Sequence, residues 1–161
     1  MVCHIFACGW LVVLLSSTVQ AQSADAVTWN SLPEALSTTE AEARPILIYV
    51  HAAWCGPCLR MERDVFPSVQ PLLDRFARAE LDFDDHETAL TVGDVTRSPF
   101  AWAQHFGAEA PPALILLDTD GNRLTQVTGF VDTDGLAVLL AWVATGAHRH
   151  ASFEAYAAQV Q

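Results

Sequence analysis

Apolar residues run unbroken in two places, Ile46-Leu47-Ile48-Tyr49-Val50 and Ala113-Leu114-Ile115-Leu116-Leu117. Short apolar runs bounded by prolines or turn residues read as buried strands. Around them the pattern switches between two periods. Ala24 to Ala43 opens with an apolar–polar alternation and continues as Leu32-Pro33-Glu34-Ala35-Leu36 and an Ala/Glu-rich run, which predicts a preliminary strand and then a helix with Pro33 in its first turn. Arg44-Pro45 ends that helix, because the residue before a proline leaves helical space. A helix is predicted from about 56 to 64 and is broken at Phe66-Pro67-Ser68. It resumes over Val69 to Ala79, with apolar residues at 69, 72, 73 and 76.

Leu81-Asp82-Phe83-Asp84 alternates and predicts a strand that ends in an acidic loop, Asp84-Asp85-His86-Glu87. Residues 88–98 carry no readable period. Pro99 to Phe106 predicts a helix that stops at Gly107. Asp118-Thr119-Asp120-Gly121 is a hairpin turn that leads to a return strand over Leu124 to Phe130. Asp132 caps a helix through about Thr145, ended by Gly146, and Ser152 to Val160 is a last amphipathic segment. The resulting order is β-α-β-α-β-β-α, a parallel βαβ half followed by an antiparallel ββα half. It predicts an α/β fold with a central mixed β-sheet flanked by helices on both faces.

The candidate chemistry lies between the first apolar run and the helix after it, at Trp54-Cys55-Gly56-Pro57-Cys58. Strand, tight turn, then helix is the context in which a Cys-x-x-Cys pair reads as redox chemistry and not as half of a metal site. With the helix starting at about Cys55, both sulfurs fall in its first turn on one face. The Cα atoms are then roughly 5–6 Å apart, which suits a disulfide. Cys55 is expected to be exposed, its thiolate stabilised by unpaired N–H groups and the macrodipole, and so to be the attacking sulfur. Cys58, one turn deeper, is placed to resolve the mixed disulfide. Pro57 suits the first turn, where its missing N–H costs nothing. A disulfide that merely staples the helix start is the competing reading, but a staple on so small a loop removes little chain entropy.

Composition narrows the class. A chain of 161 residues, 52% apolar and 17% charged, is one domain with a real core. The formal charge of −11 argues against nucleic acid or anionic lipid as partner. Residues 1–21 read as a secretory signal: Gly9 to Leu15 is an apolar core too short to span a membrane, and Val19-Gln20-Ala21 offers a cleavage site. The leader departs from the usual pattern, since Met1-Val2-Cys3-His4 has no Lys or Arg; an uncleaved anchor is the alternative. The mature domain is then 22–161, with a core over about 30–146 and a helical extension over 147–161. Cys3 and Cys8 leave with the leader, so only Cys55 and Cys58 remain.

Trp54 to Cys58 resembles the active site of the thioredoxin family residue for residue. The resemblance covers roughly 30–160. Cys58 to Phe66 is similar to the same segment in exported thioredoxin-like proteins, such as the C-terminal domain of DsbD-type transmembrane reductases and the SoxW-type thioredoxins. Gly129-Phe130 and the tail Gly146 to His150, with Phe153 and Tyr156, resemble SoxW-type C-termini. The resemblance implies the thioredoxin fold and a cis-proline at Pro112, packed against the Cys pair. It also implies pairing of an extended substrate strand with the backbone beside that proline. Trp54, Gly56, Pro57, Pro111 and Pro112 are the implied substrate-binding residues. Pro111 departs from the usual Thr, Val or Ile and has no N–H to offer a substrate.

Tyr49 stands where cytoplasmic thioredoxins carry a buried Asp, thought to take the proton of the resolving thiol, and a neutral Tyr cannot act as that base. His51 is nearer and titrates near neutrality, although a satisfied strand-end histidine is the plainer reading. Arg60 and Glu62 read as a solvated helix face. Asp82, Asp84, Asp85, His86 and Glu87, and likewise His148 and His150, have no recognised ligand spacing, so no metal is expected. Leu59 stands where haem attachment needs a His, and no other cofactor is implied.

The function expected is an exported, periplasmic thiol–disulfide oxidoreductase acting on disulfide-containing protein partners. Gly-Pro between the cysteines resembles the reducing members of the family. In an oxidising compartment a reductant needs regeneration, which points to a membrane donor of the DsbD or CcdA type. A monomer is expected. The alternatives are a disulfide-donating oxidase and a non-enzymatic binding or assembly module.

Overall fold

The computed structural model describes residues 27–160. The expected leader and its cleavage site lie outside the described residues. Helix α1 (Leu32–Glu42) precedes strand β1 (Ile46–His51), and the helix over the Cys motif is α2 (Gly56–Arg60). That helix runs on into a π-helical turn, Met61–Val65, in which the Phe66 N–H donates to the Met61 carbonyl at 2.9 Å, five residues back. A 3₁₀ turn (Pro67–Val69) leads into α3 (Gln70–Leu73), then β2 (Ala77–Asp82), β3 (Leu90–Val92) and β4 (Val95–Arg97). The chain ends with α4 (Pro99–His105), β5 (Ala113–Leu117), β6 (Arg123–Thr128), α5 (Thr133–Ala144) and α6 (Phe153–Val160).

Four strands form one sheet in the order β2-β1-β5-β6. β1 pairs parallel with β2 and antiparallel with β5, and β5 pairs antiparallel with β6. The mixed sheet follows from the connections: the helical crossover from β1 to β2 permits parallel pairing, and the tight turn at Asp118–Gly121 permits only antiparallel pairing. Side chains of β1 alternate between two cores. Leu47 and Tyr49 face Met61, Phe66 and the α5 residues Leu136, Leu139 and Leu140. Ile46, Ile48 and Val50 face Leu32 and Ala35 of α1 and Trp102 of α4. Helices therefore cover both faces, the thioredoxin arrangement that the resemblance implied.

Several boundaries differ from the sequence pattern. The helix expected over 69–79 stops at Leu73, and the strand expected at 81–84 is instead Ala77–Asp82. Ala, Arg and Glu are good helix formers, but Ala77, Ala79 and Leu81 point inward at strand period, and pairing with β1 overrides propensity. The strand expected before α1 amounts, among the described residues, to one parallel bridge between Asn30 and Ala79. Residues 88–98 hold the small β3–β4 hairpin. The return strand ends at Thr128, two residues short of Phe130: Gly129 (φ 96°) leaves extended geometry, and Pro112 opposite it accepts from the Gly129 N–H at 2.8 Å but has no N–H to return.

Candidate functional site

Pro45 and the apolar β1 run bring the chain to the end of the sheet, where Ala52 and Ala53 turn it into α2. Cys55 is the N-cap: its backbone is extended (φ −78°, ψ 97°) and its N–H donates to the Ala52 carbonyl at 3.0 Å. The Cys58 N–H donates to the Cys55 Sγ at 3.1 Å. A sulfur in this position takes the place of the Ser or Asp oxygen that usually satisfies a free N–H at a helix start. Cys55 and Cys58 are joined as a disulfide with a Cα–Cα distance of 5.2 Å, as the spacing predicted. Gly56 and Pro57 fill the first turn, and no atom lies within 4 Å of where a Gly56 Cβ would project.

Exposure differs from expectation. Cys55 is 2% exposed and Cys58 is fully buried, so the oxidised Cys55 is not the open sulfur that its position in the motif predicts. Its sulfur is bonded inward to Cys58, and both residues join the apolar cluster of Tyr49, Met61 and Leu136. The exposed surface falls to the flanking residues instead: Trp54 is 66% exposed and Leu59 is 50% exposed.

The Pro111–Pro112 bond is cis. Val50 pairs with Ala113, so Pro112 enters β5 across from the His51 end of β1, at the same end of the sheet as the Cys turn. Pro112 is buried and Pro111 is half-buried. Sheet register thus brings Pro111 and Pro112 to the end that carries Trp54, Cys55, Gly56, Pro57 and Cys58.

Three contacts at this end were not readable from the sequence. The Tyr49 hydroxyl donates to Glu62 Oε1 at 3.0 Å, so Glu62 is partnered and does not simply belong to a solvated face. Burial, with the Glu62 carboxylate beside it, pushes the Tyr49 phenol far above its ordinary pKa and keeps it neutral. The Trp54 indole N–H donates to Asp84 Oδ2 at 2.6 Å, which gives one residue of the acidic loop a task. Arg60 lies over the Phe130 ring, 4.4 Å from its centroid. Each pair is at least 13 residues apart, so no local pattern announces it. His51 stacks on Tyr49 (centroids 5.3 Å apart) and its Nε2 lies 3.6 Å from Glu80 Oε2, a proximity longer than a hydrogen bond. Among the described residues no three His, Cys, Asp or Glu side chains converge as a metal would need.

Comparison with known proteins agrees with this geometry. A family model described as a thioredoxin-like domain matches residues 32–144. The thiol:disulfide interchange protein DsbD of Cronobacter sakazakii is 30% identical over 117 residues, which cover 70% of this chain and 18% of that protein. The chain therefore spans under a fifth of that relative's length. A thioredoxin of Alicyclobacillus acidocaldarius is 32% identical over 98 residues, 61% of this chain and 80% of the relative. Among solved structures, a thioredoxin from Thermus thermophilus superposes with a TM-score of 0.59 at 22% identity, covering 79% of this chain and 98% of that one. A putative disulphide-isomerase from Bacteroides thetaiotaomicron superposes at 0.56 with 25% identity, covering 80% and 99%. With its Cys pair at the start of a helix, a cis-proline across the sheet end and this match over most of its length, the chain belongs to the thioredoxin-like family.

Proposed function

We propose that this thiol–disulfide oxidoreductase is an exported reductant of protein disulfides. The observation that carries the reading is the Cys58 N–H directed at the Cys55 sulfur of the N-cap, a donor that stabilises a thiolate once the disulfide opens. In the reduced protein the Cys55 thiolate attacks a sulfur of the partner's disulfide, and the partner's other sulfur leaves as a thiolate. The Cys58 sulfur attacks the Cys55 sulfur of the mixed disulfide, and the partner's sulfur leaves as a thiolate that takes up the proton Cys58 gives up. The partner departs reduced by the two electrons that the Cys55/Cys58 dithiol loses in becoming the disulfide. A membrane donor of the DsbD or CcdA type then restores the dithiol. Residues 1–21 direct export, and the mature chain, 22–161, works as a monomer.

Trp54, Gly56 and Pro57 form the rim against which the partner lies. Pro111 and Pro112 receive its extended strand. Pro111 has a carbonyl to accept from that strand but no N–H to donate, so the pairing is one bond poorer than strand addition usually gives.

The low exposure of Cys55 favours a second reading, a crosslink that only stabilises the fold. Closing a four-residue loop contributes about 2 kcal/mol on the chain-entropy account, less than half of the about 4.7 kcal/mol that a crosslink spanning about 100 residues would give. One experiment separates the two. Cys58→Ser is expected to trap partner proteins on Cys55 through a bond that dithiothreitol releases, and the wild type is expected to reduce insulin with multiple turnovers. Absence of both leaves the crosslink. Equilibration with glutathione sets the direction: a potential near the thioredoxin value of about −270 mV supports a reductant, and one near the DsbA value of about −120 mV makes the chain an oxidase.

A further inference from the structure

Beside α2, on the β1–β2 side of the Cys turn, lies a cavity of about 290 Å³ that the disulfide chemistry does not use. Its volume is close to the lower end for pockets that hold small ligands. Three aromatic rings define its inner side: Trp29, Tyr49 and Phe66, with centroids 4.9–5.2 Å apart. Tyr49 and Phe66 are buried and form the floor, and half-buried Trp29 forms a wall. Two exposed carboxylates, Glu62 and Glu80, also line it. The one basic group among its described lining residues is His51, already beside Glu80. The chain contains no lysine, and none of its eight arginines is among the described residues that line the cavity.

The accessible part of the Trp29 ring is backed by Tyr49 and Phe66 and flanked by the Glu62 and Glu80 carboxylates. In a chain of net charge −11, this arrangement forms a receptor for a positive charge on an apolar stem. Lysine and arginine side chains have that form. The position is equally specific. Ala53 and Leu59 belong to the lining; Ala53 is two residues before Cys55, about 7 Å of chain at most, and Leu59 adjoins Cys58.

We propose that this cavity binds a lysine or arginine side chain of the exchange partner, two or three residues from the cysteine that bonds to Cys55. An extended partner strand covers about 3.3 Å per residue, which matches that offset. The placement on a partner rests on the oxidoreductase reading; the cationic chemistry of the cavity does not.

The test has two arms. In the first, the oxidised full chain at pH 8 is titrated with N-acetyl-arginine methylamide, its lysine counterpart, and the norleucine and glutamate analogues, and the Trp29 indole is followed by NMR. Saturable binding of both cations, at least ten-fold tighter than norleucine and at least ten-fold weaker in Glu62→Gln/Glu80→Gln, is the expected result. Equal binding of norleucine, tighter binding of glutamate, or no effect of the double substitution overturns the proposal. In the second arm, disulfide peptides carrying arginine or norleucine two or three residues from cysteine are reacted with the reduced protein. Arginine is expected to speed exchange several-fold, and Glu80→Gln to remove the preference. Cation binding with exchange that ignores arginine overturns the placement. Cation binding with no exchange at all sinks the oxidoreductase reading and leaves the cationic pocket standing.

Discussion

Replacing Tyr49 with Phe should invert the ranking of the two proteins between neutral and alkaline pH. The phenol is 1% exposed and donates to Glu62 at 3.0 Å. Burial first, then the Glu62 charge and hydrogen bond, then Glu80, hold its pKa far above the model-peptide value of 10.0. In the unfolded chain the same phenol ionises at that ordinary value. Above pH 10 the unfolded state therefore binds fewer protons than the native one, and stability falls as pH rises, by about 1.36 kcal/mol per pH unit. The contribution is intact below pH 10, and about 2 kcal/mol of it is lost by about pH 11.5.

Few other groups blur this window. The chain has no lysine and two tyrosines, and without the expected leader its cysteines are the two locked in the disulfide. At neutral pH the Phe variant loses a hydrogen bond to an exposed carboxylate and is less stable by about 1 kcal/mol. By about pH 11.5 it should be the more stable protein by a similar amount. Urea unfolding followed by tryptophan fluorescence across this range measures the crossing, and ultraviolet phenolate absorbance counts the ionised tyrosines. Parallel stability curves, or two phenolates appearing near pH 10 with native fluorescence intact, would refute the argument.

Two stability predictions follow from the same framework. Leu114→Ala removes a fully buried side chain from central strand β5 and should cost about 2–5 kcal/mol, read as a lower urea midpoint with an unchanged slope. Asp132→Ala removes the carboxylate that accepts from the Gly135 N–H at 2.8 Å at the start of α5, and should cost about 0.5–2 kcal/mol in the same assay, with Asp132→Asn restoring most of it.

What the sequence revealed depended on how local the physics was. β1 and β5 were legible because a strand buried on both faces must be apolar without interruption, and Asp132 and Gly146 mark α5 by capping chemistry confined to a few residues. The Cys pair was legible for the same reason, since N-cap and disulfide both lie within one turn. β2 was misread because Ala77-Arg78-Ala79-Glu80 prefers helix in isolation, and only its partner β1 makes it a strand. The β3–β4 hairpin escaped because its three-residue strands are too short and too exposed to show a period. Glu62 and Asp84 looked like ordinary surface charges because their partners, Tyr49 and Trp54, are distant in the chain. The burial of Cys55 is likewise a property of everything packed around the turn.

The wide turn at Met61–Val65 holds one residue more than an α-helical turn would. A surplus residue can be given up. Deleting one position from 62–64 would let the Phe66 N–H reach the Met61 carbonyl at the usual spacing, with the cysteines on one side and Phe66 on the other kept close to their present places. Adding a residue has no such outlet and would rotate Phe66 out of its slot against Trp29 and Tyr49. The redox helix is thus built to accept shortening and resist lengthening, an asymmetry that variants of altered length would display directly.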